Sequence, residues 1–266
     1  MILENGHLKI NEVHQGDCLE LMKLIPDKSI DAIISDPPYG TTACKWDTII
    51  PFEPLWEQYK RIIKDNGAIV LTASQPFTSA LVMSNIKMFK YELIWEKEKP
   101  SNFMLLKKQF GKVHENILIF YKNQPTYNPI KIPANPDKID KRKRFNDVIK
   151  KDGVTPELKL YRPVDNGLRY PTSNLYFNRD ENGLHPTQKP VALFEYLIKT
   201  YTNEGDLVLD NCAGSGTTAI ASENLKRNWI CIEQDETYCE IGRKRIEENR
   251  ERLSSLPLPT NPPDNK

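Results

Sequence analysis

The sequence predicts an α/β fold built on a mostly parallel sheet. Three observations carry that prediction. Short apolar runs of strand length alternate with segments of helical periodicity along most of the chain, the order that buries a parallel sheet between helices. Two loops that follow strand-like runs, residues 36–39 and 210–217, carry residues suited to ligand chemistry. Open α/β sheets bind ligands at the C-terminal ends of their strands, where both loops would lie. At 266 residues the chain can bury one full α/β core with an insertion.

Residues 8–14 alternate loosely and run into Gly16-Asp17, as a strand entering a loop does. Residues 18–24 have helical spacing. Residues 30–35 (Ile-Asp-Ala-Ile-Ile-Ser) read as a buried strand. In residues 52–64, Leu55, Tyr59, Ile62 and Ile63 recur at helical spacing, and Asn66-Gly67 closes the helix. Residues 68–72 form the next strand. Residues 76–86 form the next helix, with Pro76 in its first turn, where a missing N–H is harmless. Residues 91–95 and 116–121 are two further strands, expected as an antiparallel pair at one edge of the sheet. From residue 122 to about 182 the chain is polar, proline-bearing and weakly periodic. Alternation resumes with a helix at 191–201, a strand at 207–210, a helix at 216–224, a strand at 229–233 and a charged helix at 236–250. Residues 256–266 have many prolines and no periodicity, and are expected to be disordered. No internal repeat is present.

Charged residues make up 27% of the chain, yet the net charge is only +1. Any nucleic-acid surface therefore has to be local. The five cysteines, Cys18, Cys44, Cys212, Cys231 and Cys239, form no CxxC pair and no metal-ligand spacing. With an odd count and no long apolar span, they argue against structural zinc and disulfides and point to a reducing cytoplasm.

In Asp36-Pro37-Pro38-Tyr39, Asp36 offers a carboxylate, Pro37 a carbonyl held between rigid prolines, and Tyr39 an aromatic face. A planar ring with an exocyclic NH2 can use all three. The two acceptors take its N–H bonds while the phenol stacks on the ring. The fixed φ of proline holds this geometry at little entropy cost. Taken alone, the string also fits an ordinary turn.

Residues 207–218 read as a strand, a tight turn with Gly214 and Gly216, and a helix start. The pattern is not GxGxxG and lacks the P-loop lysine, which argues against a nucleoside triphosphate. Glu233 ends the next strand, about 20 residues on, the spacing at which a carboxylate meets a ribose diol in dinucleotide folds. Together these features suggest an adenosine-containing cofactor. The plain alternative is a helix-capping turn and a surface glutamate.

The two sites together resemble the amino-group DNA methyltransferases that use S-adenosylmethionine. Residues 36–39 match their catalytic tetrapeptide, and residues 210–217 resemble their cofactor loop, with Asn-Cys-Ala where many members carry a Pro-Phe-containing stretch. Residues 183–190 (Gly-Leu-His-Pro-Thr-Gln-Lys-Pro) are very similar to the segment preceding the cofactor motif in one branch. Residues 169–174 and 114–118 also resemble family segments. The catalytic motif comes first and the cofactor motif second, as in the circularly permuted beta class. The resemblance implies a Rossmann-like methyltransferase fold. Its parts would be a catalytic half at 1–121, an inserted target-recognition region at 122–182, a cofactor-binding half at 183–252 and a disordered tail at 253–266.

It further implies catalytic roles for Asp36, Pro37, Pro38 and Tyr39. Contacts to S-adenosylmethionine are implied for Asp17, Asp36, Thr187, Lys189, Asp210, Asn211, Ala213, Gly214, Ser215, Gly216, Thr217 and Glu233. Without the resemblance Asp17 is a turn aspartate and Lys189 a solvated lysine before a helix. His185 fits loop ordering better than proton transfer. Trp46 and Phe52 suit either the rim of a base pocket or core packing. Lys141, Arg142, Lys143, Arg144, Lys150 and Lys151 lie in the insertion and are assigned to DNA phosphates, against the alternative of a solvated face. Double-stranded DNA is the expected substrate, with a homodimer and a cognate restriction endonuclease as expected partners and no membrane attachment. Asp36 favours adenine over cytosine, since the family's cytosine-amino enzymes more often begin the tetrapeptide with serine.

Overall fold

The computed structural model describes residues 3–4, 6–42, 47–135, 147–149, 158–160, 166–180 and 188–255. The tail at 256–266, Thr187, His185, Trp46, Cys44 and the six basic residues at 141–144, 150 and 151 lie outside its described residues or their described side chains. The chain divides into two compact units. One comprises residues 1–128 and 173–266, the other residues 129–172.

Among the described residues, the larger unit contains one eight-stranded sheet. Its strands are β1 (Glu12–Gln15), β2 (Ile30–Ser35), β3 (Ile63–Ala73), β4 (Phe89–Glu96), β5 (His114–Phe120), β6 (Asn174–Tyr176), β7 (Leu207–Asp210) and β8 (Asn228–Glu233). They lie side by side in the order β6-β4-β5-β3-β2-β7-β8-β1. β5 runs antiparallel to both of its neighbours, and every other pairing is parallel. The β4–β5 hairpin stands toward one end of the sheet, as the sequence implies, and the short strand β6 is added outside it.

The helices are α1 (Cys18–Met22), α2 (Phe52–Ile62), α3 (Phe77–Ser84), α4 (Val191–Tyr201), α5 (Thr217–Asn224) and α6 (Glu236–Ser254). Alternating residues of the central strands feed opposite faces, as period-two side-chain geometry requires. Ile33, Ile69, Leu71 and Leu209 pack on one face with Leu55, Trp56, Tyr59 and Ile62 of α2. Ala32, Ile34, Val70 and Val208 pack on the other with Leu193, Phe194, Leu197 and Ile198 of α4. A neighbouring cluster joins Val13, Trp229 and Cys231 to Ala219, Ile220 and Ile246 of α5 and α6. Both faces are covered, so the central strands read as near-continuous apolar runs.

The helix ends shift by a few residues, with α6 running to Ser254 rather than to residue 250, and the largest departure from the sequence reading is the boundary between α2 and β3. α2 ends at Ile62, and β3 begins at Ile63 rather than at Ala68. Ile63 pairs with Ile30, the register then shifts, and Ala68 pairs with Ala32. The Asn66-Gly67 pair therefore sits inside a strand irregularity instead of closing a helix. A Cβ on Gly67 would lie 2.8 Å from the Asp31 carbonyl oxygen, so close backbone approach requires glycine here.

In the smaller unit, Ile132–Pro133 pairs antiparallel with Leu168–Arg169, and Asp147–Ile149 with Leu158–Leu160. This unit falls inside the segment read as an insertion.

Candidate active site

β2 and β7 lie side by side at the centre of the sheet. The connection after β2 leads to β3 on one side, and that after β7 leads to β8 on the other. Their C-terminal loops thus diverge and open a crevice, the switch point at which doubly wound sheets bind ligands. A cavity of about 1060 Å³ occupies it. Asp36, Pro37, Pro38 and Tyr39 line it, as do Asp17, Lys189, Asp210, Asn211, Ala213, Gly214, Ser215, Thr217 and Glu233. The volume is at the upper end for ligand pockets.

The tetrapeptide leaves β2 with its acid half-buried. Asp36 Oδ1 accepts hydrogen bonds from the Tyr39 hydroxyl (2.6 Å) and from Thr72 of β3. Asp36 Oδ2 accepts from the Lys189 ammonium at 2.7 Å. Lys189 also lies 3.3 Å from Glu115, whose other oxygen accepts from Lys97 at 2.9 Å. A chain of alternating charges, Lys97–Glu115–Lys189–Asp36, therefore runs along the cavity wall. Burial tends to lower the Lys189 pKa, but the Asp36 and Glu115 carboxylates outweigh it and hold the ammonium above its ordinary value. Burial likewise tends to raise Glu115, and Lys189 with Lys97 outweighs it and holds the carboxyl below its usual range.

The Tyr39 ring stacks on Phe77, with centroids 5.3 Å apart and planes 23° from parallel. The Lys189 ammonium lies 5.5 Å from its centroid. Burial and the Asp36 carboxylate push its phenol well above the ordinary range, so the hydroxyl stays a donor. Phe52 packs against the core beside Phe77, at 5.9 Å, which favours its packing reading.

The sequence reading missed Asp47. Its Oδ1 accepts the backbone N–H of Tyr39 (2.7 Å) and Gly40 (2.8 Å), and its Oδ2 those of Thr41 (2.8 Å) and Thr42 (2.7 Å). One carboxylate thus ties down the loop that carries the tetrapeptide. Burial opposes its ionisation, and these bonds outweigh the penalty and hold its carboxyl below the usual range. A short polar residue in a loop of Thr and Gly was the available signal. Thr72, Glu115 and Lys97 were also missed as site residues, because only the tertiary fold brings them to Asp36.

At the other loop, each residue's work is specific. Asp210 Oδ1 accepts from Ser35 (2.7 Å) and from the Cys212 N–H (3.0 Å), while its Oδ2 accepts from Thr218. It fastens β7 to β2 and to α5, and burial raises its pKa to about 6. Asn211 accepts from the Tyr59 hydroxyl at 2.5 Å. Ser215 accepts from Arg245 at 2.8 Å, and Thr217 donates to the Lys189 carbonyl at 3.5 Å. Glu233 accepts the Gly214 N–H at 2.7 Å, and burial pushes its carboxyl up.

Gly214 has φ of 50°, and an added Cβ there would meet no atom within 4 Å. The backbone leaves the cavity open at that point. Gly216 differs. It is not among the cavity-lining residues, and a Cβ on it would lie 3.4 Å from Gly242 Cα of α6. Its φ of 81° turns the chain into α5, and there it packs against α6. Asp17 lines the cavity and also caps α1, its Oδ1 accepting the N–H of Leu19 (2.8 Å) and Glu20 (3.2 Å).

Comparison with known proteins agrees with this geometry. The family model described as DNA methylase, of the N6/N4 methyltransferases, matches residues 30–244. The type II methyltransferase M2.MboI of Moraxella bovis is 31% identical over 265 residues, 89% of this chain and 87% of that one. The DNA adenine methyltransferase YhdJ of Escherichia coli is 30% identical over 87% of this chain and 81% of its own. Among solved structures, the M1.HpyAVI–SAM complex superposes with a TM-score of 0.59 at 26% identity, covering 88% of this chain and 98% of that one. The cytosine-N4-specific PvuII DNA methyltransferase, at 16% identity, shares the fold with a TM-score of 0.61 over 93% of each chain. Because the matched span contains both loops of the cavity and most of the sheet between them, this chain belongs to the N6/N4 DNA methylase family.

Proposed function

We propose that this chain is a site-specific methyltransferase that moves a methyl group from S-adenosylmethionine to the N6 amino group of an adenine flipped out of duplex DNA. The observation that carries this reading is that residues 36–39 and residues 210–215 and 217 of the glycine turn, far apart in sequence, line one cavity at the switch point. The cofactor suits the residues present. Gly214 leaves open space in the turn, and the half-buried Glu233 and the exposed Asp17 line the same cavity with carboxylates for hydroxyl and amino donors. Bound there, the cofactor supplies an electrophilic methyl group.

The chain's own part is to orient the amine. A base stacked in duplex DNA must leave the helix to reach this crevice, at a cost of a few kcal/mol. The Asp36 carboxylate already accepts from Tyr39, Thr72 and Lys189. The amino group of the base therefore displaces the Tyr39 hydroxyl from Asp36 and gives its second N–H to the Pro37 carbonyl. Both bonds draw the nitrogen toward a pyramidal shape with its lone pair aimed along the line of attack. Tyr39 turns to stack on the base, a contact worth about 1–3 kcal/mol. Orientation and matched electrostatics supply most of the rate. The proton released from nitrogen passes to Asp36 or to water.

Asp36 at the head of the tetrapeptide supports adenine, and so does the name of the relative YhdJ. Residues 122–182 are assigned to target recognition, and the basic residues at 141–144, 150 and 151 within them to DNA phosphates. A homodimer and a cognate restriction endonuclease remain part of the proposal, the latter supported by the type II relatives. Incubation with labelled S-adenosylmethionine and mixed duplex DNA tests the activity. Wild type transfers label, and Asp36→Ala does not while still binding cofactor. Wild type that binds DNA and transfers nothing would instead be a silent binder. Mapping modified bases in a host genome expressing the gene gives base and sequence context together, and N4-methylcytosine would overturn the adenine assignment.

A further inference from the structure

The loop joining β4 to β5 is built to display apolar side chains in water. Phe103, Met104, Leu105, Leu106 and Phe110 are all exposed, Met104 at 82% and Phe110 at 99%. A folded surface seldom concentrates so many large apolar groups in one short loop unless something covers them. The loop holds itself in shape. The Lys112 N–H donates to Asn102 Oδ1 (2.6 Å), the Asn102 amide donates to the Phe110 carbonyl (3.0 Å), and the Ser101 N–H donates to the Lys112 carbonyl (2.9 Å). A single turn of 3-10 helix at Phe103–Leu105 completes it. The apolar side chains are thus presented by an ordered frame.

Two further observations say what covers them. Ser101 and Lys112, at the two feet of the loop, line the catalytic cavity, and Lys112 also donates to Ser74 there. Between Glu98 and Glu115 the loop carries Lys99, Lys107, Lys108 and Lys112 and no acidic residue. Aromatic and aliphatic tips interleaved with lysines, at the mouth of a base-accepting cavity, match a stack of bases edged by phosphates. Extracting a base leaves a gap in that stack, and the gap is apolar on both faces.

We propose that the loop between β4 and β5 is a wedge that enters duplex DNA beside the target, with Phe103 and Phe110 filling the gap left by the flipped base and Lys107 and Lys108 holding the flanking phosphates. The inference rests on the base-flipping reading above and adds the element that drives or stabilises extrusion.

The test uses the full chain and two duplexes carrying the genome-mapped site, one fully paired and one with an abasic site opposite the target. The Phe103→Ala/Phe110→Ala variant should lose methyl transfer about tenfold or more on the paired duplex, the scale of a lost stacking contact. It should stay within about threefold of wild type on the unpaired one, where extrusion is cheap. With 2-aminopurine at the target position, its fluorescence rise should fall in parallel. Separately, Lys107→Gln/Lys108→Gln should flatten the salt dependence of DNA binding by roughly two phosphate contacts. Equal activity of the phenylalanine variant and wild type on both duplexes overturns the wedge alone. So does an equal loss on both with cofactor binding intact. A shift from dimer to monomer in sedimentation with flipping unchanged makes a second copy of the chain the occupant instead. An unchanged salt slope overturns the phosphate half. Wild type that transfers to neither duplex overturns the base-flipping reading itself.

Discussion

At Asp36 one carboxylate accepts hydrogen bonds from side chains at positions 39, 72 and 189; the sequence reading named Tyr39 and Lys189 as site residues but foresaw none of these three bonds. Tyr39 is part of a contiguous string whose chemistry can be read locally. Thr72 and Lys189 reach the same acid from a neighbouring strand and from the segment before α4, so their meeting is a property of the fold. Tyr39 has two separable parts. In the proposed mechanism its ring stacks on the base, while its hydroxyl occupies Asp36 until the base arrives. Tyr39→Phe keeps the ring and frees the acceptor, so methyl transfer should stay within about threefold of wild type. Tyr39→Ala removes the ring and should lose about tenfold or more, from a stacking contact of about 1–3 kcal/mol. Steady-state transfer rates check both, and equal activity of Tyr39→Ala and wild type would refute the stacking role. Asp47 acts on the same loop through the loop's backbone N–H groups. Its four accepted N–H bonds from residues 39–42 fix where the phenol and the Pro37 carbonyl stand. Asp47→Ala should lower transfer about a hundredfold, as a displacement near 1 Å does to an oriented reaction. Cofactor affinity, measured by titration calorimetry, should be unchanged, because the glycine turn lies on another strand. A parallel fall in cofactor affinity would show that Asp47 supports the whole cavity instead.

At the scale of elements, β2, α4 and β7 coincide with the spans read from sequence. Each is a buried run or a strongly periodic segment with clear breakers at its ends, so local pattern and tertiary packing agree. The reading failed where they disagreed. Asn66-Gly67 is a strong turn signal, yet β3 runs through it, because Ile63 pairs with Ile30 before the register shift and Ala68 with Ala32 after it. The irregularity lets Gly67 pass close to Asp31, whose carboxylate accepts from Lys64 at 2.6 Å and from the Leu207 N–H at 2.9 Å. Gly67 therefore lies at a junction of β2, β3 and β7. A methyl group there meets the Asp31 carbonyl at 2.8 Å and Ile63 at 2.7 Å. Gly67→Ala should lower stability by about 1–3 kcal/mol, the range for overpacking a tight site. In thermal unfolding that is a fall in midpoint of several degrees at about 2–4 °C per kcal/mol. An unshifted midpoint would mean that the strand relaxes around the methyl group without loss. The strand Asn174–Tyr176 was invisible because three residues in a polar stretch carry no periodicity; its place comes from pairing with Ile94, Trp95 and Glu96.

For the molecule as a whole, the sheet order places β2 and β7 side by side with connections leaving in opposite directions, and one buried carboxylate sits where they meet. Asp210 joins Ser35 at the end of β2, the turn after β7 and Thr218 of α5. The family resemblance marked it as a cofactor contact. The structure also gives it the task of holding both halves of the crevice together. This task has a thermodynamic signature. Burial raises the Asp210 pKa from the ordinary value of 3.8 to about 6, against the opposing pull of its hydrogen bonds. A folded pKa above the unfolded one means that the folded state binds the proton more tightly. The contribution to stability is then most favourable at low pH and is lost as pH rises from about 4 through 6. At 1.36 kcal/mol per pKa unit, the loss amounts to at most about 3 kcal/mol. Asp210→Asn keeps an acceptor for Ser35 and the Cys212 N–H, lets Thr218 become the acceptor, and carries no charge to desolvate. Urea midpoints of wild type and Asp210→Asn, compared between pH 4 and 7.5, should therefore diverge as pH rises, with wild type losing ground to the variant and the difference levelling off above about pH 7. A constant difference across that range would show that Asp210 is solvated well enough to ionise freely, and that the crevice is held by the hydrogen bonds alone.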